Sequence, residues 1–210
     1  WASASVIIVS VFAAILSEYF FQKATKRKIT INDYSAAVTG LLLAFTLPPG
    51  LPLWIVAIGS GASIIVAKQI FGGLGNNIFN PALIGRAILV ASWPTALTTF
   101  IAPIDGVTSA TPLGIIKEYG TLQSLGDMVG SELPSLGSAF IGSIPGSLGE
   151  TSALALLIGG LYLIYKGHVD WKIPGTYLGT VFLITTIIGL STGQGMLYPM
   201  FHLLTGGLLL

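Results

Sequence analysis

Cysteine is absent from the 210 residues. Its absence excludes disulfides, thiolate metal sites, iron–sulfur ligation and cysteine-linked cofactors from this chain, so a redox group here must be held in another way. Charge is nearly as scarce. Asp, Glu, Lys and Arg make up 8% of the residues, against ~25% in a soluble globular domain. With 53% hydrophobic residues and a mean hydropathy of +0.86, the chain is written for a lipid bilayer. The net charge of +1 is uninformative as a sum, since nine basic and eight acidic side chains nearly cancel, but their distribution along the chain is not random, and no nucleic-acid partner is expected. The charged n-region and cleavage site of a signal peptide are missing. So is any HExxH, paired-carboxylate or Ser-His-Asp arrangement, which argues against hydrolysis. The first residue is Trp1 and the last are Leu208, Leu209 and Leu210, so both ends are expected to cut through helices of a longer protein. Residues 1–210 are then expected to be one membrane domain.

Long apolar runs are plentiful. A spanning helix needs ~20 apolar residues, and the first candidate runs from Trp1 to about Phe21, followed at once by Lys23, Lys26, Arg27 and Lys28. A second apolar segment, Ser35 to Leu47, is short for a span and is stopped by Pro48, Pro49 and Pro52, as a broken or partly buried helix would be. Leu51 to Phe71 is the third and carries Lys68 near its end. The stretch from Gly72 to Pro81 then sets three glycines and Asn76, Asn77 and Asn80 at the edge of the hydrocarbon. Irregular backbone at that depth needs burial in protein or a water-lined cavity, which predicts a re-entrant or discontinuous element. A fourth span, Pro81 to about Phe100, includes Arg86, which either snorkels to the headgroups or faces a polar partner and a function.

Residues 101–150 lack a convincing span and are acidic, with Asp105, Glu118, Asp127, Glu132 and Glu150 against Lys117. Three further spans are expected, over Thr151 to Tyr165, Ile173 to Leu190 and Met196 to Leu210. A second basic turn, Lys166, His168, Asp170 and Lys172, lies between the first two. Short-loop lysine and arginine mark the cytoplasmic side. Residues 22–34 and 166–172 are therefore expected inside and residues 101–150 outside. Two internal echoes, Thr39-Gly40-Leu41-Leu42-Leu43 with Thr205-Gly206-Gly207-Leu208-Leu209 and Gly72-Gly73-Leu74-Gly75-Asn76 with Gly146-Ser147-Leu148-Gly149-Glu150, fall on opposite sides in this topology. Inverted repeats with broken helices have that property. The expected fold is an all-α polytopic transmembrane bundle with broken or re-entrant elements and transporter-like inverted repeats.

The polar island Asp105-Gly106-Val107-Thr108-Ser109-Ala110-Thr111-Pro112-Leu113-Gly114 interrupts this pattern. Taken as chemistry, it is open to two readings. Thr111 is either an N-cap with Pro112 at the first helical position, or a hydroxyl presented for covalent modification. The two are compatible. His168 reads as interfacial, and His202 lies within the last span, where an ionisable group is rarer.

The heptad Asp105 to Thr111 resembles a flavinylation motif, in which a flavin transferase joins FMN through a phosphoester to the last threonine, here Thr111. The blocks Gly73-Leu74-Gly75-Asn76 to Phe79-Asn80-Pro81-Ala82, Ser109-Ala110-Thr111-Pro112-Leu113 and Gly146-Ser147-Leu148-Gly149-Glu150-Thr151-Ser152-Ala153 follow in order. Together they resemble the RnfD family, membrane components of the Rnf ion-pumping ferredoxin:NAD oxidoreductase complex of bacterial membranes, and the homologous NqrB component of the sodium-pumping NADH:quinone oxidoreductase. Ser109 stands where many such motifs have glycine. The resemblance implies a flavoprotein component of a Na+- or H+-translocating oxidoreductase in the bacterial inner membrane, with FMN on Thr111 at the non-cytoplasmic face. Asp105 would then direct the transferase, and Thr108, Ser109, Ala110, Pro112 and Leu113 would present the acceptor. Gly149, Glu150 and Thr151, with Ser147 and Ser152, would lie beside the flavin, where hydroxyls meet its carbonyls and Glu150 either joins ion movement or caps a helix start. Asn76, Asn77, Asn80 and Arg86 would line a second polar site for a non-covalent flavin or an ion path. Expected partners are the other membrane and peripheral subunits of the complex, the transferase and the lipid. A passive channel or solute transporter is the alternative of another class, and it has no use for a flavinylation motif.

Overall fold

A computed structural model describes residues 2–101, 108–109, 136–142 and 146–205. It divides into two compact units, residues 1–100 and 101–210.

The first unit is built around helix α1, Ala2–Ala24, a proline-free apolar run. Its buried residues are Val6, Ser10, Ala14, Glu18 and Gln22, every fourth position, which an α-helix stacks on one face. Three of the five are polar. The opposite face is apolar and exposed, with Ile8 at 65%, Phe12 at 62% and Phe20 at 60%. A soluble helix does the reverse. Here the surroundings are as greasy as leucine, so apolar bulk gains nothing by facing inward, and small and polar residues take the helix contacts. Lys26, in the left-handed region at φ 55, closes the helix. Beyond it the Arg27 amide donates to the Gln22 carbonyl at 2.9 Å, the wrap-back bond of a Schellman end.

A single 3₁₀ turn, Ile31–Asp33, leads into α2, Ser35–Phe45. Leu53–Ile64 forms α3 and continues directly into a π-helical turn, Ile65–Gln69. Pro81–Ser92 forms α4. Helix α1 packs on α2 and α3, and α4 packs on α3 and α2. The approach is close because glycine sits at the crossings. A Cβ on Gly40 would lie 2.8 Å from the Ser10 carbonyl oxygen and from Val11 Cα, and one on Gly85 would lie 2.7 Å from Ser63 Cβ. Hydroxyls stitch the same seam: Ser10 Oγ donates to the Gly40 carbonyl at 2.6 Å and lies 2.8 Å from Ser60 Oγ.

The expected fourth span does not run unbroken to Phe100. Helix α4 stops at Ser92, and Pro94–Thr98 forms a separate short helix, α5. Proline disfavours helical backbone at the residue before it, and Trp93 accordingly sits at φ −134, ψ 61. Its indole meets Trp54 edge to face, with ring centroids 5.4 Å apart. Two-residue strands β1, Phe100–Ile101, and β2, Thr108–Ser109, follow.

In the second unit the described helices are α6, Leu136–Ile141; α7, Ala153–Tyr165; α8, Lys172–Ser191; and α9, Leu197–Thr205. Helix α9 packs on α8 and α6, and α6 on α7. Helices α1 and α8 are long and apolar enough to cross a membrane; α2, α4 and α7 are apolar but shorter. The last echo, Thr205 to Leu209, lies beyond the described residues after Thr205. In the other pair, Gly72–Asn76 and Gly146–Glu150 each precede a helix capped by a side chain, Asn80 on α4 and Ser152 on α7.

Candidate functional site

Membrane helices seldom bury full charges, and α1 and the π turn bury two. Glu18 is 0% exposed and Lys68 is 2% exposed. Lys68 Nζ donates to Glu18 Oε1 at 2.9 Å and Oε2 at 3.1 Å. Gln69 Nε2 reaches Oε1 at 2.7 Å and Gln22 Nε2 reaches it at 3.2 Å. Removing two charges from water costs several kcal/mol per ion unless the remaining hydrogen-bonding capacity is met, and this cluster meets it.

The π turn is what gathers the donors. Widening the ring to an i to i+5 bond, Ile70 N–H to the Ile65 carbonyl at 3.1 Å, turns the chain less per residue than an α-helix does. Ala67, Lys68 and Gln69 are consecutive and all buried. The sequence counts Lys68 among the basic flanks; the structure sets its ammonium inside the first unit instead.

From this pair a hydrogen-bond path leads outward. Lys68 Nζ also donates to Ser35 Oγ. The Ser35 hydroxyl donates in turn to Asp33 Oδ1, which takes the Ser35 amide as well at 2.8 Å. Asp33 is exposed. Burial by itself would raise its pKa, but the Ser35 hydroxyl and amide together with the Lys68 charge outweigh that and hold the carboxyl below its ordinary value. On the other flank Gln22 Nε2 donates to Thr30 Oγ1 at 2.8 Å and Gln22 Oε1 accepts from the Thr30 amide at 2.9 Å. Arg27 Nη1 donates to the Gln69 carbonyl at 2.7 Å.

The residues singled out from sequence fare differently. Asp105, Ala110, Thr111, Pro112 and Leu113 lie outside the described residues; Thr108 and Ser109 form β2. Gly149, Glu150 and Thr151 are half-buried, in the turn before α7. The turn is backed by Gly142 at φ +115, where a Cβ would come within 2.9 Å of the Thr151 carbonyl oxygen. Ser152 is committed to capping, accepting from the Ala155 amide at 3.3 Å. Ser147 is 1% exposed, and its Oγ has no hydrogen-bond partner among the described residues. Such orphans are uncommon in native structures.

Asn76, Asn77 and Asn80 lie in the stretch that leads into α4, and Arg86 lies on α4 itself. Asn76 is exposed and lies under Gly72, and Asn77 Nδ2 donates to the Phe79 carbonyl at 3.1 Å. Asn80 Oδ1 accepts from the Ala82 amide at 3.0 Å as the N-cap of α4. Local turn and cap chemistry engages Asn77 and Asn80. Arg86 is half-buried on α4. His202 lies against Tyr198, ring centroids 4.2 Å apart, with Nδ1 3.0 Å from the Tyr198 carbonyl oxygen.

Inward polar residues, an outward apolar surface and a buried, fully bonded ion pair define an all-α membrane protein with a charged interior. The chain belongs to the NQR2, RnfD, RnfE family, whose model matches residues 1–210. It is 47% identical over 209 residues to a Clostridium ljungdahlii protein named as the D component of a proton-translocating ferredoxin:NAD(+) oxidoreductase complex, covering 98% of this chain and 63% of that protein. It is 45% identical over 214 residues to an Acetobacterium woodii protein named as the D component of a Na(+)-translocating ferredoxin:NAD(+) oxidoreductase complex, covering 100% of this chain and 62% of that protein. The D component of an ion-translocating oxidoreductase complex from Alcanivorax borkumensis is 37% identical, covering 100% and 66%. The chain therefore spans less than two thirds of the length of these relatives. The names of the first two differ in the ion they carry.

Proposed function

We propose that this chain is the membrane electron-transfer component of an Rnf-type complex that couples ferredoxin:NAD redox chemistry to Na+ or H+ translocation, and that it carries FMN as a phosphoester on Thr111. The observation that carries the reading is the heptad Asp105 to Thr111 in a chain of the NQR2, RnfD, RnfE family. The NADH:quinone homologue shares that family, and the names of the relatives favour the Rnf assignment.

Bound FMN would supply the one-electron and two-electron chemistry that side chains of this composition lack. The protein's part is to seat it. In the Gly146 to Thr151 turn, Ser147 offers a buried hydroxyl without a partner among the described residues, which fits a site whose second half comes from a bound group. Charge distribution supports residues 101–150 on the non-cytoplasmic side and residues 22–34 and 166–172 on the cytoplasmic side.

In-gel flavin fluorescence of the denatured full-length protein, expressed with its transferase, tests this. Covalent fluorescence in wild type that disappears in Thr111→Ala supports the ester. Absence of fluorescence in wild type, or its persistence in Thr111→Ala, would sink it.

A further inference from the structure

From the cluster on α1 and the π turn, we infer that Glu18 and Lys68 form a buried site that takes up and releases one proton, reached from the surface through Ser35 and Asp33. The inference concerns a different part of the chain from the FMN site. Only its use in ion translocation rests on the function proposed above.

The argument starts from an excess of chemistry over structural need. Helix α1 already holds α2 and α3 through Ser10, Ala14 and Gly40, and a well-packed apolar pair stabilises a core at least as well as a buried ion pair. Ionisable groups inside membrane helices mark proton and ion pathways by default. A second, independent observation points the same way: the pair is not sealed. Glu18, Lys68, Ser35 and Asp33 form an unbroken series of hydrogen bonds from a fully buried carboxylate to an exposed one. Every member either donates or accepts a labile proton. Among the described residues, the charged groups that the hydrogen bonds of the site reach are Lys68 from the π turn, Asp33 from the 3₁₀ turn, and Arg27, which is held on the Gln69 carbonyl.

The transfer balances. Lys68 passes one proton to Glu18, forming the neutral acid and the free amine. Once Asp33 has picked up a proton from water and Lys68 is the free amine, the Ser35 hydroxyl turns from Asp33 Oδ1, to which it donates in the resting arrangement, toward Nζ, gives its proton to the amine and takes the proton of Asp33. The net change moves one proton from Asp33 to Glu18, leaves Lys68 as ammonium and restores the Ser35 hydroxyl. Because the cluster changes from neutral to singly positive, its proton occupancy responds to any charge that arrives or leaves nearby.

Infrared difference spectroscopy on the full-length protein in its native membrane assembly tests the site directly, without reference to flavin. Acidification should produce a protonated-carboxyl C=O band that shifts in D2O and is missing in Glu18→Gln. After a pH jump, Ser35→Ala should reach the same band amplitude roughly tenfold or more slowly, since a positioned proton-transfer group is typically worth at least that much. A pair with a purely structural role gives no such band at any pH at which the protein stays folded, and that result overturns the inference. An unchanged rate in Ser35→Ala overturns it as well. If Glu18→Gln fails to accumulate, the Ser35→Ala rate decides alone. Ferredoxin:NAD turnover of the same preparations is read separately: turnover without the band removes the proton site and leaves the proposed function standing, and the band without turnover does the opposite.

Discussion

At the scale of single residues, Lys68 and Glu18 are the positions where one change has the largest consequence. Lys68→Met leaves the Glu18 carboxylate buried against two amides with no counter-charge, which is expected to destabilise the first unit by about 3–5 kcal/mol. Denaturant titration in detergent micelles would measure it. Adding Glu18→Gln should recover most of that loss, because the double variant has no uncompensated charge; a double variant as unstable as Lys68→Met would contradict this account. Asp33 gives a pH signature. Its carboxyl is held below the ordinary value when folded, so its contribution is present at neutral pH, persists down to the ordinary aspartate range near ~4, and is lost as pH falls through the lower folded value. Wild type should thus be more stable than Asp33→Asn at neutral pH, with the difference vanishing in acid. Ser147 makes the contrary case. Its hydroxyl has no partner among the described residues, so Ser147→Ala should be neutral or slightly stabilising in flavin-free protein, within about 1 kcal/mol. If the hydroxyl meets the flavin, the same variant should shift the flavin absorption spectrum.

At the scale of elements, the first unit is assembled by close helix contact where side chains are smallest. Gly40→Ala puts a methyl 2.8 Å from the backbone of α1. Neither partner can rotate away, so a loss of about 1–3 kcal/mol is expected. Gly160 on α7 has open space where its Cβ would go, and Gly160→Ala should be neutral or stabilise the helix by up to ~1 kcal/mol. Thermal melts of the two variants side by side make the comparison. Much of this element structure was legible in the sequence. The apolar run of α1, the stop after α2 at Pro48 and Pro49, and the glycine-asparagine break before Pro81 all correspond to observed boundaries. The split between α4 and α5 was missed because the apolar run continues through Pro94, and hydropathy does not register a lost amide donor. The π turn was illegible for a similar reason: Ile65–Gln69 carries no residue type that demands it. Its inward triplet becomes visible only when Glu18 lies opposite.

At the scale of the whole molecule, the missing cysteines are an experimental asset. Single cysteines introduced in this background report sidedness by labelling with an impermeant maleimide in intact cells and inverted vesicles. Thr25→Cys and Gly167→Cys should label together from the cytoplasmic side, and Thr121→Cys from the other; any other grouping would refute the proposed topology. Family membership follows from the full length of the chain, and the blocks from Gly73 to Ala153 are sufficient for the resemblance. Composition by itself determined that this is a membrane protein, because 8% charge cannot clothe a soluble surface. The order of apolar runs determined where the helices lie, because backbone groups in lipid must bond within a helix. What only the tertiary structure decided is which face of each helix is inside. Helix α1 is apolar almost all round, so its sequence does not mark the Val6 to Gln22 stripe as inward. A glutamate at position 18 and a lysine at position 68 each stand, read alone, near the end of a separate apolar run. Their meeting at 2.9 Å depends on α1, α2 and a π turn converging through glycine contacts, and 50 residues of separation leave no trace of that in the sequence.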